Sequence, residues 1–316
     1  MSSESSTQRS PLLPQLSLLV VQLLFGTWPI FGKIALRSLP STGLVAIRTT
    51  GAALTFLFLQ RSLGSGKHVE RRDLLRLALY GLLGVVANQL LFVKGLSLTT
   101  AINASLLGTT IPIFAFAVSI ALHRDRLTSP KVLGMALAAT GVFYLLWPER
   151  NFASGTALGN FFIVANSFCY GAYIALSKDM VEKYGPLTVI TWIFVFGSIF
   201  TLPVGVFTLV TGPAISLTVP LLLAIVFIVL FPTVLAYYLN AWALARVSPG
   251  VVAVYVYLQP LFTFAVAPLM LGERPTGTTG IASLLIFTGV AAVTLIESRP
   301  GQNTQLLLQV HRSDAR

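Results

Sequence analysis

The chain has 316 residues, of which 55% are hydrophobic and only 10% charged, and its formal net charge is +11. Soluble domains carry roughly a quarter charged residues, so a soluble globular domain, a disordered chain and a coiled coil are all excluded. The single cysteine, Cys169, leaves no internal disulfide, and the basic excess sits in short clusters between apolar runs, where it sets membrane topology and calls for no nucleic-acid partner.

A spanning helix needs about 20 mostly apolar residues. The charges divide the chain into ten such runs: Leu16–Leu36, Leu44–Leu59, Leu74–Val93, Thr100–Leu122, Val132–Trp147, Leu158–Ser177, Leu187–Val210, Pro220–Leu244, Val251–Leu271 and Gly277–Ile296. The expected fold is an all-α integral membrane protein of ten transmembrane helices, with a polar tail over 1–15 and another over 298–316. The first run is long enough to span and lacks a charged leader with a small-residue cleavage site, so it reads as an uncleaved anchor. With the N-terminus inside, fifteen of the 21 Lys and Arg fall on the cytoplasmic side and five outside, with Arg48 within a span. That bias puts both termini in the cytoplasm.

The two halves resemble each other. At a shift of 148 residues Pro112 meets Pro260, Phe114 meets Phe262, Phe116 meets Phe264, Asp125-Arg126 meets Glu273-Arg274, and Thr140-Gly141-Val142 meets Thr288-Gly289-Val290. Earlier, Pro40 and Gly51 meet Pro186 and Gly197 at a shift of 146, and Ile34-Ala35-Leu36 meets Ile174-Ala175-Leu176 at 140. The repeats are expected over 16–147 and 152–296, five spans each. An odd number of spans inverts the second copy, the architecture of alternating-access transporters with midplane sites.

These residues carry a family resemblance. Gly95-Leu96 with Thr99-Thr100-Ala101, Pro112 and Asp125-Arg126 in the first half, and Ala241-Trp242-Ala243-Leu244, Val254–Pro260 and Leu271-Gly272-Glu273-Arg274 in the second, resemble the drug/metabolite transporter superfamily in its EamA-type ten-span branch. Arg48 resembles a recurrent arginine of that family. The resemblance implies an exporter, facilitator or exchanger of amino acids and other small metabolites in the cell (inner or plasma) membrane, with a central cavity lined by spans 1, 3, 4, 6, 8 and 9. The alternative reading is a non-transporting scaffold or receptor built on a duplicated bundle. An embedded protease would need a serine elbow with its histidine, paired intramembrane Asp or His-Glu-x-x-His, and none is present.

Candidate binding residues are polar groups at membrane depth, which need partners or a wet cavity. They are Arg48, Asn88, Gln89, Lys94, Asn103, Tyr170, Tyr173, Tyr237, Asn240, Tyr255 and Gln259. Arg48 costs about 2.5–3.5 kcal/mol at a helix centre on insertion scales; it either serves a site or snorkels to headgroups or loop carbonyls. Lys94 either snorkels or draws a carboxylate toward the outer vestibule. No Asp or Glu lies inside a run, which leaves no carboxylate proton relay. Gly64-Ser65-Gly66-Lys67 lacks the first glycine and the final Ser/Thr of a phosphate loop, so no nucleotide is expected. His68, His123 and His311 are scattered, and neither a metal nor a cofactor is expected. Pro112 and Pro260 remove bonds to the carbonyls of Gly108 and Val256, as a hinge or as a static kink. Gly134, Ala138 and Gly141 form a small-residue face that fits close packing within the protomer or in a homodimer.

Overall fold

A computed structural model describes residues 12–63, 66–122, 129–146, 155–247, 251–252 and 255–297. Residues 1–11, the Asp125-Arg126 pair and residues 298–316 lie outside the described residues. The described residues are helical or in short connections, without a strand. We label the helices α1 (Leu12–Leu36), α2 (Ser41–Ser62), α3 (Arg71–Leu98), α4 (Ala101–Ala121), α5 (Ser129–Leu146), α6 (Gly155–Tyr184), α7 (Pro186–Thr211), α8 (Val219–Leu244), α9 (Tyr255–Leu271) and α10 (Gly277–Glu297). Seven helices are long and apolar enough to cross a membrane: α1, α2, α3, α4, α6, α7 and α8. Shorter apolar stretches follow at Val132–Tyr144, Tyr255–Leu271 and Gly277–Gly289. The first helix is described from Leu12 onward, so residues 12–15 of the stretch expected to be tail are helical.

Local chemistry sets the helix ends. Thr100 accepts the N–H of Asn103 at 3.0 Å to cap α4, and Thr218 accepts that of Leu221 to cap α8. Gly185, at φ +84°, makes the tight α6–α7 connection, and Gly272, at φ +70°, ends α9. Lys178 reaches from α6 to the carbonyls of Leu244 and Val247, both at 3.2 Å, and completes the end of α8. Large apolar side chains on α7 and α8, such as Phe207, Val210, Leu223 and Val226, remain exposed. On a membrane protein that is the lipid face.

The packing follows a cross-paired plan. Helices α2 and α7 lie face to face. Thr42 bonds Thr208 at 2.8 Å, Thr49 bonds Thr201 at 2.7 Å, and Thr50 bonds Ser198 at 2.9 Å. Numbers rise along α2 as they fall along α7, so the two helices run in opposite directions. The same holds for α5 and α10. A Cβ on Gly141 would meet Ile286 and Leu285, and one on Gly289 would meet the backbone of Ala138 and Gly134. The small-residue face of α5 is therefore used within the protomer, against α10.

Helix α1 crosses to α8 and α9, while α6 crosses back to α3 and α4. Gly26 of α1 lies on the carbonyl of Gln259 and the Cβ of Phe262. Gly171 of α6 lies on the carbonyl of Ile111 and the Cβ of Phe114. Both pairs of contacted residues are 148 apart, and Gly26 and Gly171, which make the same kind of contact, are 145 apart. The match of Ile34-Ala35-Leu36 to Ile174-Ala175-Leu176 lies at 140, a different spacing from that of these contacts.

The two ends of the bundle are tied differently. At the start of α3, Glu70 and Asp73 each bond the Lys183 ammonium at 2.7 Å, Tyr184 donates to Asp73 at 2.6 Å, and Arg72 pairs with Glu70 at 2.5 Å. At the other end of α3, roughly 40 Å away at 1.5 Å per residue, the Glu273 carboxylate accepts the backbone N–H groups of Ala101 and Ile102, both at 3.1 Å. It sits where the α4 dipole favours negative charge.

Two outcomes follow. Gly289→Ala forces a methyl onto backbone atoms and costs about 1–3 kcal/mol. Gly280→Ala, on the same helix with open space around it, costs nothing measurable. Thermal melts of both variants in detergent check this. Lys183 and Arg72 hold the Glu70 carboxyl below its ordinary range. Its contribution is therefore complete above the usual carboxylate value of about 4.3 and is lost as pH falls through the lower folded value. A melting difference between wild type and Glu70→Gln at pH 7 shrinks to nothing on acidification.

Candidate functional site

The centre of the bundle holds a cavity of about 60 Å³, room for a few waters at roughly 10–15 Å³ each. Helix α1 contributes Phe25 and Trp28, α2 contributes Arg48, and α3 contributes Asn88, Gln89 and Phe92. Gly108 and Ile111 come from α4, Asn166 and Tyr170 from α6, Tyr237 from α8 and Gln259 from α9. Arg48 is the one charged residue among them.

Arg48 is 1% exposed. Its Nε donates to the Thr233 hydroxyl at 3.0 Å, one NH1 proton goes to the Gln89 side-chain oxygen, and its Cζ lies 3.7 Å from the centre of the Trp28 ring. No Asp or Glu among the described residues pairs with it. A cation stacked on indole gains roughly 2 kcal/mol when desolvated, which offsets part of the cost of burial. Arg48 therefore does not snorkel; it is held inside.

A hydrogen-bonded chain runs on from it. Gln89 Nε2 donates to the Tyr237 hydroxyl at 2.8 Å, and that hydroxyl lies 3.2 Å from Asn88 Oδ1. Asn166 Nδ2 donates to the Asn88 carbonyl at 2.8 Å. Asn240 Nδ2 donates to the Tyr170 hydroxyl at 3.2 Å, and Gln259 Nε2 donates to Gln22 Oε1 at 2.7 Å. The rings of Phe25, Tyr170 and Tyr237 meet edge to face, with centroids 5.7 to 6.5 Å apart. Such pairs fix ring orientation.

Irregular backbone surrounds this centre. Helix α3 carries a π turn over Leu82–Ala87 and α8 one over Leu230–Leu235, 148 residues apart. Helix α4 breaks at Thr109-Thr110, where the two hydroxyls donate to the carbonyls of Leu106 and Leu107 at 2.6 and 2.7 Å. Pro112 then sits in the first turn of the restarted helix, and Pro260 does the same after the 3-10 turn Tyr255–Leu258. The expectation of mid-helix kinks is corrected. Each proline opens a new segment, where its missing N–H is no loss.

Of the expected binding residues, the structure gathers Arg48, Asn88, Gln89, Tyr170, Tyr237 and Gln259 at the cavity. Asn240 stands one bond behind Tyr170, and Tyr173 packs its ring on Gly84 beside Tyr170. Lys94 is exposed and lies outside the lining. Five positions beyond Gln89, it is turned about 140° around α3. Asn103 and Tyr255 are half-buried and do not line the cavity. Sequence reasoning missed Phe25, Trp28, Phe92 and Ile111, which look like lipid-facing residues in a helix apolar all round. It also missed Gln22, whose polarity at membrane depth was a usable signal.

A family model for EamA-like transporters matches residues 12–147 and 157–295. The chain belongs to the EamA-like transporter family. It is 30% identical over 272 residues to an uncharacterised transporter of Archaeoglobus fulgidus, covering 84% of this chain and 91% of that one. It is 27% identical to a probable terminal-alkyne amino-acid exporter of Streptantibioticus cattleyicolor, over 84% of this chain and 87% of that one. An uncharacterised inner membrane transporter of Salmonella typhimurium is 25% identical, over 90% and 96%. One protein crystal structure shares the fold with a TM-score of 0.64 at 19% identity, covering 90% of this chain and 98% of that chain. The protein is thus a membrane transporter, multi-pass in the cell membrane, and its work is movement of a solute.

Thr233→Val removes the acceptor of Arg48 Nε. With a charged donor left unpaired, the expected loss is about 1–3 kcal/mol, read as a lower melting temperature of the purified protein.

Proposed function

We propose that the protein is a secondary transporter that exports, facilitates or exchanges small metabolites, amino acids among them. It works by alternating access between two inverted five-helix repeats, 16–147 and 152–296. The observation that carries this reading is the meeting of equivalent residues across the cavity. Phe25 and Tyr170, matched at the 145 shift, touch at 6.5 Å between centroids. Gln89 and Tyr237, matched at 148, share a hydrogen bond of 2.8 Å. A two-fold relation between the halves would pass between these pairs, through the cavity. The opposed directions of α2 and α7, and of α5 and α10, support inversion, as does the recurrence of the π turn.

On this reading α5, α9 and α10 complete a set of ten spans, and the charge bias puts both termini in the cytoplasm. Glu70, Asp73 and Lys183 then close the inner side, and Glu273 on the start of α4 closes the outer side. Both ties join one repeat to the other, so opening either side breaks one of them. Arg48, Asn88, Gln89, Tyr170, Tyr237 and Gln259 hold the solute, with Asn240 and Tyr173 setting Tyr170. Pro112 and Pro260 mark the hinges, because each opens a new helical segment directly after a break in the helix. The probable amino-acid exporter among the relatives supports the choice of solute class. A scaffold without transport gives no role to a polar centre that its own helices leave partly unfilled.

Purified protein in liposomes preloaded with amino acids and small organic acids is expected to release a few of them selectively, as measured by mass spectrometry with and without a pH gradient. Release equal to that from protein-free vesicles, by protein shown to be folded, contradicts the reading. Pro112→Ala and Pro260→Ala are expected to slow turnover several-fold with little change in half-saturation; unchanged turnover contradicts the hinge.

A further inference from the structure

The cavity is electrically one-sided. Arg48 brings a positive charge to its wall, and no lining residue is acidic. A guanidinium carries five N–H donors. Two are engaged, one by Thr233 and one by Gln89, and the others have no acceptor among the described residues. Arg48 is fully buried, yet none of its nitrogens is among the shut-in polar atoms without a partner. Arg48 lines the cavity, and these unbonded N–H groups are the polar edge it can offer a solute there. The Trp28 ring lies against the guanidinium, 3.7 Å from Cζ to its centre, and holds one side of it.

The symmetry of the fold sharpens the point. At the 146 shift Arg48 matches Phe194, whose ring packs edge-on against Tyr237 at 5.0 Å. The matching position in the other half is apolar, so the charge has no counterpart to balance or double it. The remaining walls offer aromatic rings, amides and hydroxyls. A carboxylate fits the fork in the bidentate way a guanidinium prefers. A dianion such as phosphate would leave the site net negative in a low-dielectric centre, and an obligatory ammonium finds no carboxylate to receive it.

We propose that the solute is a small organic monoanion, its carboxylate held by the free N–H groups of Arg48 and its apolar part set between Phe25, Trp28 and Tyr170. The bound solute supplies the counter-charge that the protein itself lacks, so the loaded centre is neutral when it crosses. This rests on the alternating-access reading and deepens it by selecting acids over zwitterions.

The test uses one carbon skeleton in several charge states. Liposomes are loaded with 2-oxo acids of three to nine carbons, the amino acids of the same chain length, and the neutral amides of the oxo acids. The expected result is release of oxo acids at least about tenfold faster than of their amides, and faster than of the amino acids. Arg48→Gln removes that preference, with acid release falling on the order of a hundredfold. Arg48→Lys keeps the preference for acids at a lower rate. If Arg48→Gln does not fold, the comparison of acid with amide on the wild-type protein decides alone. Equal release of acids and amides, or faster release of amino acids, overturns the inference and leaves transport standing. Release of no solute by folded protein overturns the alternating-access reading as well.

Discussion

Hydrocarbon offers no partner to a backbone N–H or C=O, and that constraint orders everything else in this structure. Along the lipid-facing sides of α7 and α8 the helices run with apolar side chains outward. Where the backbone departs from the α form, at Leu82–Ala87, Thr109-Thr110, Leu230–Leu235 and Tyr255–Leu258, it does so around the cavity. There the freed groups meet threonine hydroxyls, tyrosine and neighbouring helices. Thr233, within one π turn, bonds both the Ile228 carbonyl and Arg48. Irregular backbone is thus concentrated at the place where a solute would need polar partners.

Close helix approach supplies the rest of the geometry. Gly26 and Gly171 let α1 and α6 lie directly on the broken helices α9 and α4. Each broken helix is therefore held by a helix from the other half of the chain. Threonine pairs tie α2 to α7, and small residues tie α5 to α10. A movement of one half against the other must slide these interfaces while the cavity between them changes shape.

Much of this was legible in the sequence. Charge spacing marked the helices, and the recurrence of Pro112 at Pro260 pointed to the two places where a proline opens a new helical segment. Polar residues at membrane depth pointed to Arg48, Asn88, Gln89, Tyr170, Tyr237 and Gln259. What was not legible is rotational phase. A helix apolar on every side shows no moment to orient it, so Lys94, Asn103 and Tyr255 could not be separated from the residues that reach the cavity. For the same reason the aromatic wall of Phe25 and Trp28 was invisible. Identities in apolar runs recur by chance, so Ile34-Ala35-Leu36 and Ile174-Ala175-Leu176 give a shift of 140 where the glycine contacts of α1 and α6 are spaced by 145.

The matched π turns have a geometric consequence. A π turn within an α-helix is one extra residue accommodated locally. It stands at Leu82–Ala87 and again 148 residues later at Leu230–Leu235. An extra residue turns everything beyond it around the helix axis by about 100°. Asn88 and Gln89 follow the first turn directly and Tyr237 follows the second. The side of α3 and of α8 that carries these polar groups is therefore set by the turn before it as much as by the spacing of residues along the chain.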